Sequence, residues 1–193
     1  MRYYNLKDPT FRYKKMSLNQ QNSSASGQSQ PKYNRIVVKA GTTLLTGGTD
    51  RLDLEMMSSL VGQVARLQFQ GRQMMIVSSG AVAAGRKVLE YTKQSRDVPV
   101  RQILAAVGQG RLLQAYEQLF DRHGIPVAQA LLTRRDLSDR HGYLNIRNTL
   151  LGLLAAGVIP IINENDVVAV DELSGGEVFG DNDTLSAMVA NIV

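Results

Sequence analysis

Four short polar clusters hold the side chains with which this sequence could do chemistry. Each sits directly after an apolar run or directly before a helix-like one. Lys39 ends the run Arg35–Lys39 (RIVVK) and is followed by Gly41 and Thr42. A lysine there can place its ammonium over a phosphate while the glycine lets backbone N–H groups approach, although a solvated lysine at a strand end has the same spelling. Ser78-Ser79-Gly80 follow a second apolar run and open a helix-like stretch. Free N–H groups, a positive dipole end and a hydroxyl make an anion site in form, and either serine could equally be a helix N-cap. Asn163-Glu164-Asn165-Asp166 follow a third run, Val158–Ile162, where Asp166 could hold an ammonium group or simply face water. Gly180-Asp181-Asn182-Asp183-Thr184 precede the last helix-like stretch. Two carboxylates and a carboxamide at a glycine turn suit magnesium or the orientation of a lysine, with Asp183 as a helix cap the modest alternative.

Other chemistries are excluded or unsupported. There is no cysteine, so disulfides, thiolate metal sites and cysteine nucleophiles are out, which fits a reducing cytoplasm. Arg86 and Lys87 stand where a P-loop between Gly80 and Gly85 would need its lysine and hydroxyl. No calcium-loop spacing of acidic residues exists. The two histidines, His123 and His141, have no motif that would make either a catalytic base near Ser79. No apolar run reaches the ~18–20 residues of a membrane span.

The elements that must position these clusters alternate strand and helix from Arg35 onward. The periodicity predicts strands at Arg35–Lys39, Gln73–Val77, Ile125–Leu131 and Val158–Ile162. Helices are expected from a cap at Asp50 through Leu54, Met57, Val61 and Val64, over Gly80–Tyr91, from Pro99 to about Arg122, from about Tyr143 to Gly157, and over Asp183–Val193. Residues 167–178 read as a hairpin or flap around Gly175-Gly176. Such alternation predicts an α/β fold, a three-layer αβα sandwich with a mainly parallel sheet, whose ligands gather beyond the carboxyl ends of the strands.

The net charge of +5 belongs to the amino-terminal segment. Residues 1–34 hold six basic residues against Asp8, which leaves sixteen of each sign in the rest and no basic face for nucleic acid. Residues 17–30 carry neither charge nor an apolar pattern, so 1–33 is expected to be a disordered extension and 34–193 the folded domain. Met16 is an alternative start. A basic, serine-rich tail also has the look of a transit peptide, but two arginines and no amphipathic stripe argue against one.

Taken together, VVKAGT at 37–42, VSSGAVAAGR at 77–86, LAAVGQGRL at 104–112, LLTRRD at 131–136, INEND at 162–166 and GDNDTLSA at 180–187 resemble the glutamate 5-kinase family of the amino-acid kinase fold. The resemblance covers residues 35–193, with Ala40 in place of the usual leucine. It implies ATP-dependent phosphorylation of the glutamate side-chain carboxylate, the first step of proline biosynthesis, with ATP and magnesium. It further implies that Lys39, with Gly41 and Thr42, meets the ATP phosphates, and that Ser79, Asp166 and Asn182 hold glutamate. Asp183 would orient the catalytic lysines and Asp181 would be a neighbouring active-site carboxylate. No residue is assigned to hold a metal. The partner is small-molecule glutamate, with no nucleic acid or membrane, in a cytoplasmic enzyme that is a homo-oligomer when full length. The resemblance stops where the family continues into strands carrying the adenine and ribose site and a second lysine. The expectation is therefore a kinase lacking its nucleotide-binding remainder and inactive by itself. Three other readings stand beside it: an acetylglutamate, carbamate or nucleoside-monophosphate kinase; a non-catalytic glutamate-binding module; and a dinucleotide dehydrogenase, which would need a G-x-G-x-x-G that is absent.

Overall fold

The computed structural model describes residues 33–93, 97–168 and 182–193. The expected extension over 1–33, all but its last residue, and the expected flap beyond residue 168 lie outside the described residues, as does Asp181. Among the described residues four strands, β1 (Arg35–Ala40), β2 (Gln73–Ser78), β3 (Val127–Leu132) and β4 (Ile159–Glu164), form a parallel sheet in the order β1-β2-β4-β3. The chain runs β1, α1 (Thr42–Thr46), α2 (Leu54–Phe69), β2, α3 (Ala81–Val88), α4 (Val98–Asp121), β3, α5 (Arg134–Ser138), α6 (Arg140–Ala155), β4 and α7 (Asn182–Ile192).

Strand alternation divides the core into two layers. Met74 and Ile76 of β2 and Ile159 and Ile161 of β4 pack with Leu45, Met57, Val61, Leu112, Tyr116 and Phe120 from α1, α2 and α4. The intervening Met75, Val77 and Ile162 face Leu150 and Leu154 of α6 and Leu185, Val189 and Ile192 of α7. This period of two on a sheet covered from both sides is the three-layer sandwich. The two central strands are buried almost throughout and the edge strands β1 and β3 only partly. Pro160 lacks an N–H, so the β2–β4 pairing begins at Ile76 with Ile161, one residue after it.

Several boundaries differ from expectation. The cap of α2 is Asp53, whose carboxylate accepts the N–H groups of Glu55 and Met56, and not Asp50. Asp53 is held there by its own N–H bond to the Leu45 carbonyl, 2.7 Å. Residues 42–46, read as loop, form a single-turn helix. A second short helix, α5, follows β3: Thr133 and Asp136 close a capping box in which each side chain accepts the other's backbone N–H. Asp139 then caps α6 through Gly142, so that helix begins three residues before Tyr143.

Helices α3 and α4 pack backbone against backbone. A Cβ on Gly85 would lie 1.9 Å from the Leu104 carbonyl oxygen, and one on Gly108 would lie 1.8 Å from that of Ala81. Only glycine permits this approach. It brings α4 under the start of α3, where the functional cluster lies.

Candidate active site

The carboxyl ends of β1, β2 and β4 meet the first turn of α7. At the end of β1, the Lys39 ammonium lies 2.9 Å from the Asp183 carboxylate of α7. Gly41 faces that ammonium; a Cβ there would sit 3.1 Å from Nζ. Asp183 is exposed at 63% of its side-chain surface and Lys39 is partly exposed at 31%. The pair therefore adds little stability, and what it sets is the direction of the lysine.

At the end of β2, the Ser79 N–H bonds the Ala40 carbonyl, 2.9 Å, which locks the two strand ends together. The chain then turns through Gly80 at φ +97° into α3. A left-handed residue this close to Leu45 and Leu52 must be glycine. Gly80 occupies the N-cap position and no side chain caps α3, so the capping alternative for Ser78 and Ser79 is set aside. The serine hydroxyls are used elsewhere. Ser78 is fully buried, and its hydroxyl donates to the Ser79 carbonyl, 3.1 Å, and meets the Tyr116 hydroxyl at 3.0 Å. Because Ser78 spends its proton on a carbonyl, Tyr116 is the donor in that pair. Burial pushes the Tyr116 phenol up to about 12, with the Ser78 bond opposing the rise, so it stays protonated and can donate.

The third element is a chain of carboxamides. Asn182, first residue of α7, directs its Nδ2 to the Ser78 carbonyl (2.7 Å), Ser79 Oγ (2.8 Å) and Asn163 Oδ1 (3.2 Å). Asn163, at the end of β4 and 3% exposed, accepts the Glu164 N–H on the same Oδ1 and donates its Nδ2 to Gln109 Oε1 of α4, 2.9 Å. The orientation of every amide follows from chemistry. A carbonyl oxygen can only accept, so the nitrogen of Asn182 must face Ser78, and its Oδ1 faces away. Ser79 accepts from Asn182, so its own proton is left to donate outward.

A cleft of about 800 Å³ opens over this cluster, lined among others by Thr42, Ser79, Asp166, Asn182, Arg86 and Arg101. Asp183 directly follows Asn182, which sets the Lys39 ion pair at the cleft's edge. The structure thus gathers Lys39, Gly41, Thr42, Ser79, Asp166, Asn182 and Asp183 at one end of the sheet. Beside them lie residues to which the sequence reading gave no individual role: Gln109, Tyr116, Asn163 and the two arginines of the cleft. Gln109 lies in the LAAVGQGRL stretch at 104–112 but was given no role there. His123 and His141 are exposed, outside the cleft lining.

These side chains place a hydroxyl, a carboxamide and a carboxylate paired with a lysine at one end of the sheet. The fold is α/β, and the cleft lies at the carboxyl ends of its parallel strands, where such folds collect their ligands. A family model described as the amino acid kinase family matches residues 34–193, and the chain belongs to that family. Among curated proteins it is similar to a glutamate 5-kinase of Dehalococcoides mccartyi, 59% identical over 161 residues that make up 83% of this chain and 43% of the relative. It is also similar to glutamate 5-kinases of Herpetosiphon aurantiacus, 57% identical over 82% of this chain and 42% of the relative, and of Geobacter sulfurreducens, 53% identical over 83% and 42%. The chain spans less than half the length of these relatives. Among the described residues no helix is long and apolar enough to cross a membrane.

Proposed function

We propose that this chain carries the glutamate-binding and phosphoryl-transfer part of a glutamate 5-kinase, a cytoplasmic enzyme that moves the γ-phosphate of ATP onto the side-chain carboxylate of glutamate and so opens proline biosynthesis. The observation that carries the reading is the polarity of the Ser78–Ser79–Asn182–Asn163 cluster beside the Lys39–Asp183 pair. Ser79 donates to a carboxylate, while Asn182 Oδ1 and Asp166 accept from an ammonium. These are the groups a glutamate molecule presents. Curated relatives of that name support the choice of substrate over other acids of the family.

The reaction follows from the same groups. A side-chain carboxylate oxygen of glutamate forms a bond to the γ-phosphorus as the bond from that phosphorus to the β–γ bridging oxygen breaks, and ADP leaves with the electron pair. The nucleophile is already an anion, so no general base is required. Catalysis reduces to alignment and charge stabilisation. Lys39 supplies a cation where negative charge is shared among the reacting oxygens, and Asp183 holds its direction. Gly41 and Thr42 border the phosphate position. Among the described residues no three acidic or histidine side chains converge as a metal cage. Magnesium, a hard ion that keeps most of its waters, fits here as part of the MgATP substrate.

The test is ADP release by the protein expressed from its whole gene, with MgATP and a panel of glutamate, aspartate, N-acetylglutamate and carbamate. Release that depends on glutamate alone supports the reading. Release with another acid, and none with glutamate, overturns it.

A further inference from the structure

The carboxamide chain ends in an unusual atom. Gln109 is nine-tenths buried, and its Nε2 has no hydrogen-bond partner among the described residues. A buried amide left unsatisfied is costly and calls for an explanation. Flipping Gln109 would satisfy nothing, because its Nε2 would then face the Nδ2 of Asn163. Flipping Asn163 as well would turn its Nδ2 toward the Glu164 N–H and the Asn182 amide, replacing two acceptor contacts with donor–donor clashes. The backbone N–H of Glu164 and the carbonyl of Ser78 cannot change roles. The donor directions are therefore forced from the strand ends outward, and the mismatch comes to rest on Gln109, which does not line the cleft.

We infer that Gln109 is a positioning residue for the ligand site: its Oε1 anchors the Nδ2 of Asn163, and through Asn163, whose Oδ1 accepts from Asn182, it steadies the Asn182 carboxamide at the cleft. This rests on the functional reading above for the identity of the ligand, but not for the amide network itself. Gln109→Met retains the length of the side chain and removes both the orphaned donor and the acceptor. One unsatisfied amide, on Gln109, is exchanged for another, on Asn163. Stability should stay close to the wild type while the hold on Asn163 is lost. A residue that served packing alone would show the reverse.

The experiment is a cycle of Gln109→Met, Asn163→Ala and the double variant, in the protein expressed from its whole gene, with KM for glutamate and for ATP, kcat and Tm. The expected result is a roughly tenfold rise in glutamate KM for Gln109→Met, with ATP KM, kcat and Tm nearly unchanged. Adding it to Asn163→Ala should do nothing further. Gln109→Glu keeps an acceptor for Asn163 and should recover most of the glutamate affinity, and it serves as the second variant if Gln109→Met does not fold. An unchanged glutamate KM, effects that add in the double variant, or a uniform loss of kcat, both KM values and Tm overturns the inference. If the wild type releases no ADP with glutamate, the functional reading fails instead. Gln109 is then judged by hydrogen exchange of the Asn163 side-chain amide, protected in the wild type and rapid in Gln109→Met; equal protection in both overturns the positioning role.

Discussion

Gly108 and Gly110 lie two residues apart on α4, and replacing each with alanine should move stability in opposite directions. At Gly108 the new Cβ would sit 1.8 Å from the Ala81 carbonyl oxygen and 2.4 Å from the Gly85 nitrogen. These are backbone atoms and cannot rotate away. Restoring ordinary contact requires α3 and α4 to part by roughly 1.5 Å, and a gap of ~0.5–1 Å already forfeits a quarter to a half of each dispersion contact. The cost falls at or beyond the upper end of the overpacking range, ~3 kcal/mol, which for a domain of this size lowers Tm by about 6–12 °C. At Gly110 nothing among the described residues lies within 4 Å of the new atom. There alanine recovers ~0.5–1 kcal/mol of helix propensity, and Tm should rise by about 1–4 °C. Thermal melts of both variants followed by circular dichroism at matched concentration make the comparison. Because α3 begins two residues after Ser79, surviving Gly108→Ala protein should also bind glutamate more weakly. A Gly108→Ala variant that melts with the wild type, or a Gly110→Ala variant that falls equally far, refutes the backbone-contact reasoning.

Other outcomes follow from the site and its supports. Lys39→Ala should lower kcat by about 10²–10³-fold, the scale of losing one transition-state charge donor, with a much smaller change in glutamate KM; steady-state kinetics with near-normal kcat would remove Lys39 from that role. Asp166→Ala should raise glutamate KM by at least about 30-fold, from the ~2 kcal/mol minimum for truncating one partner of a charged pair, and leave ATP KM alone. Thr133→Ala should cost about 1 kcal/mol by breaking the capping box of α5. Asp136 is held below the ordinary carboxylate range, first by hydrogen bonds from the Thr133 hydroxyl and backbone and in lesser part by Arg135, with desolvation opposing. A depressed folded-state value means its stabilisation is full above the unfolded value near 4 and is lost as pH falls through the folded one. Asp136→Asn should therefore flatten the acid side of the stability profile, as urea melts between pH 3 and 7 would register.

The strands and long helices were legible because their patterns are long enough to show a period. Met74 to Val77 are apolar on both faces, as a central parallel strand must be, and Met57, Val61 and Val64 keep helical spacing. The helices at 42–46 and 134–138 span a single turn, too short for any period, and are specified by caps and neighbours. The misplaced cap at Asp50 has the same origin: Asp50 and Asp53 are equivalent in type, and only the tertiary bond from Asp53 N–H to Leu45 selects between them. Site residues at strand ends were legible because a parallel sheet delivers them to one edge whatever the strand order. Gln109 and Tyr116 were not. Their contacts depend on β4 lying between β2 and β3 and on the glycines that draw α4 against α3, neither of which local pattern encodes.

The measurement that bears most directly on the functional claim identifies the phosphorylated atom. The protein expressed from its whole gene is incubated with MgATP, glutamate and hydroxylamine, which captures an acyl phosphate as its hydroxamate. The account predicts the side-chain hydroxamate of glutamate in step with ADP release, lost in Lys39→Ala. Formation of the α-carboxyl hydroxamate, or ADP release with no hydroxamate at all, would contradict it.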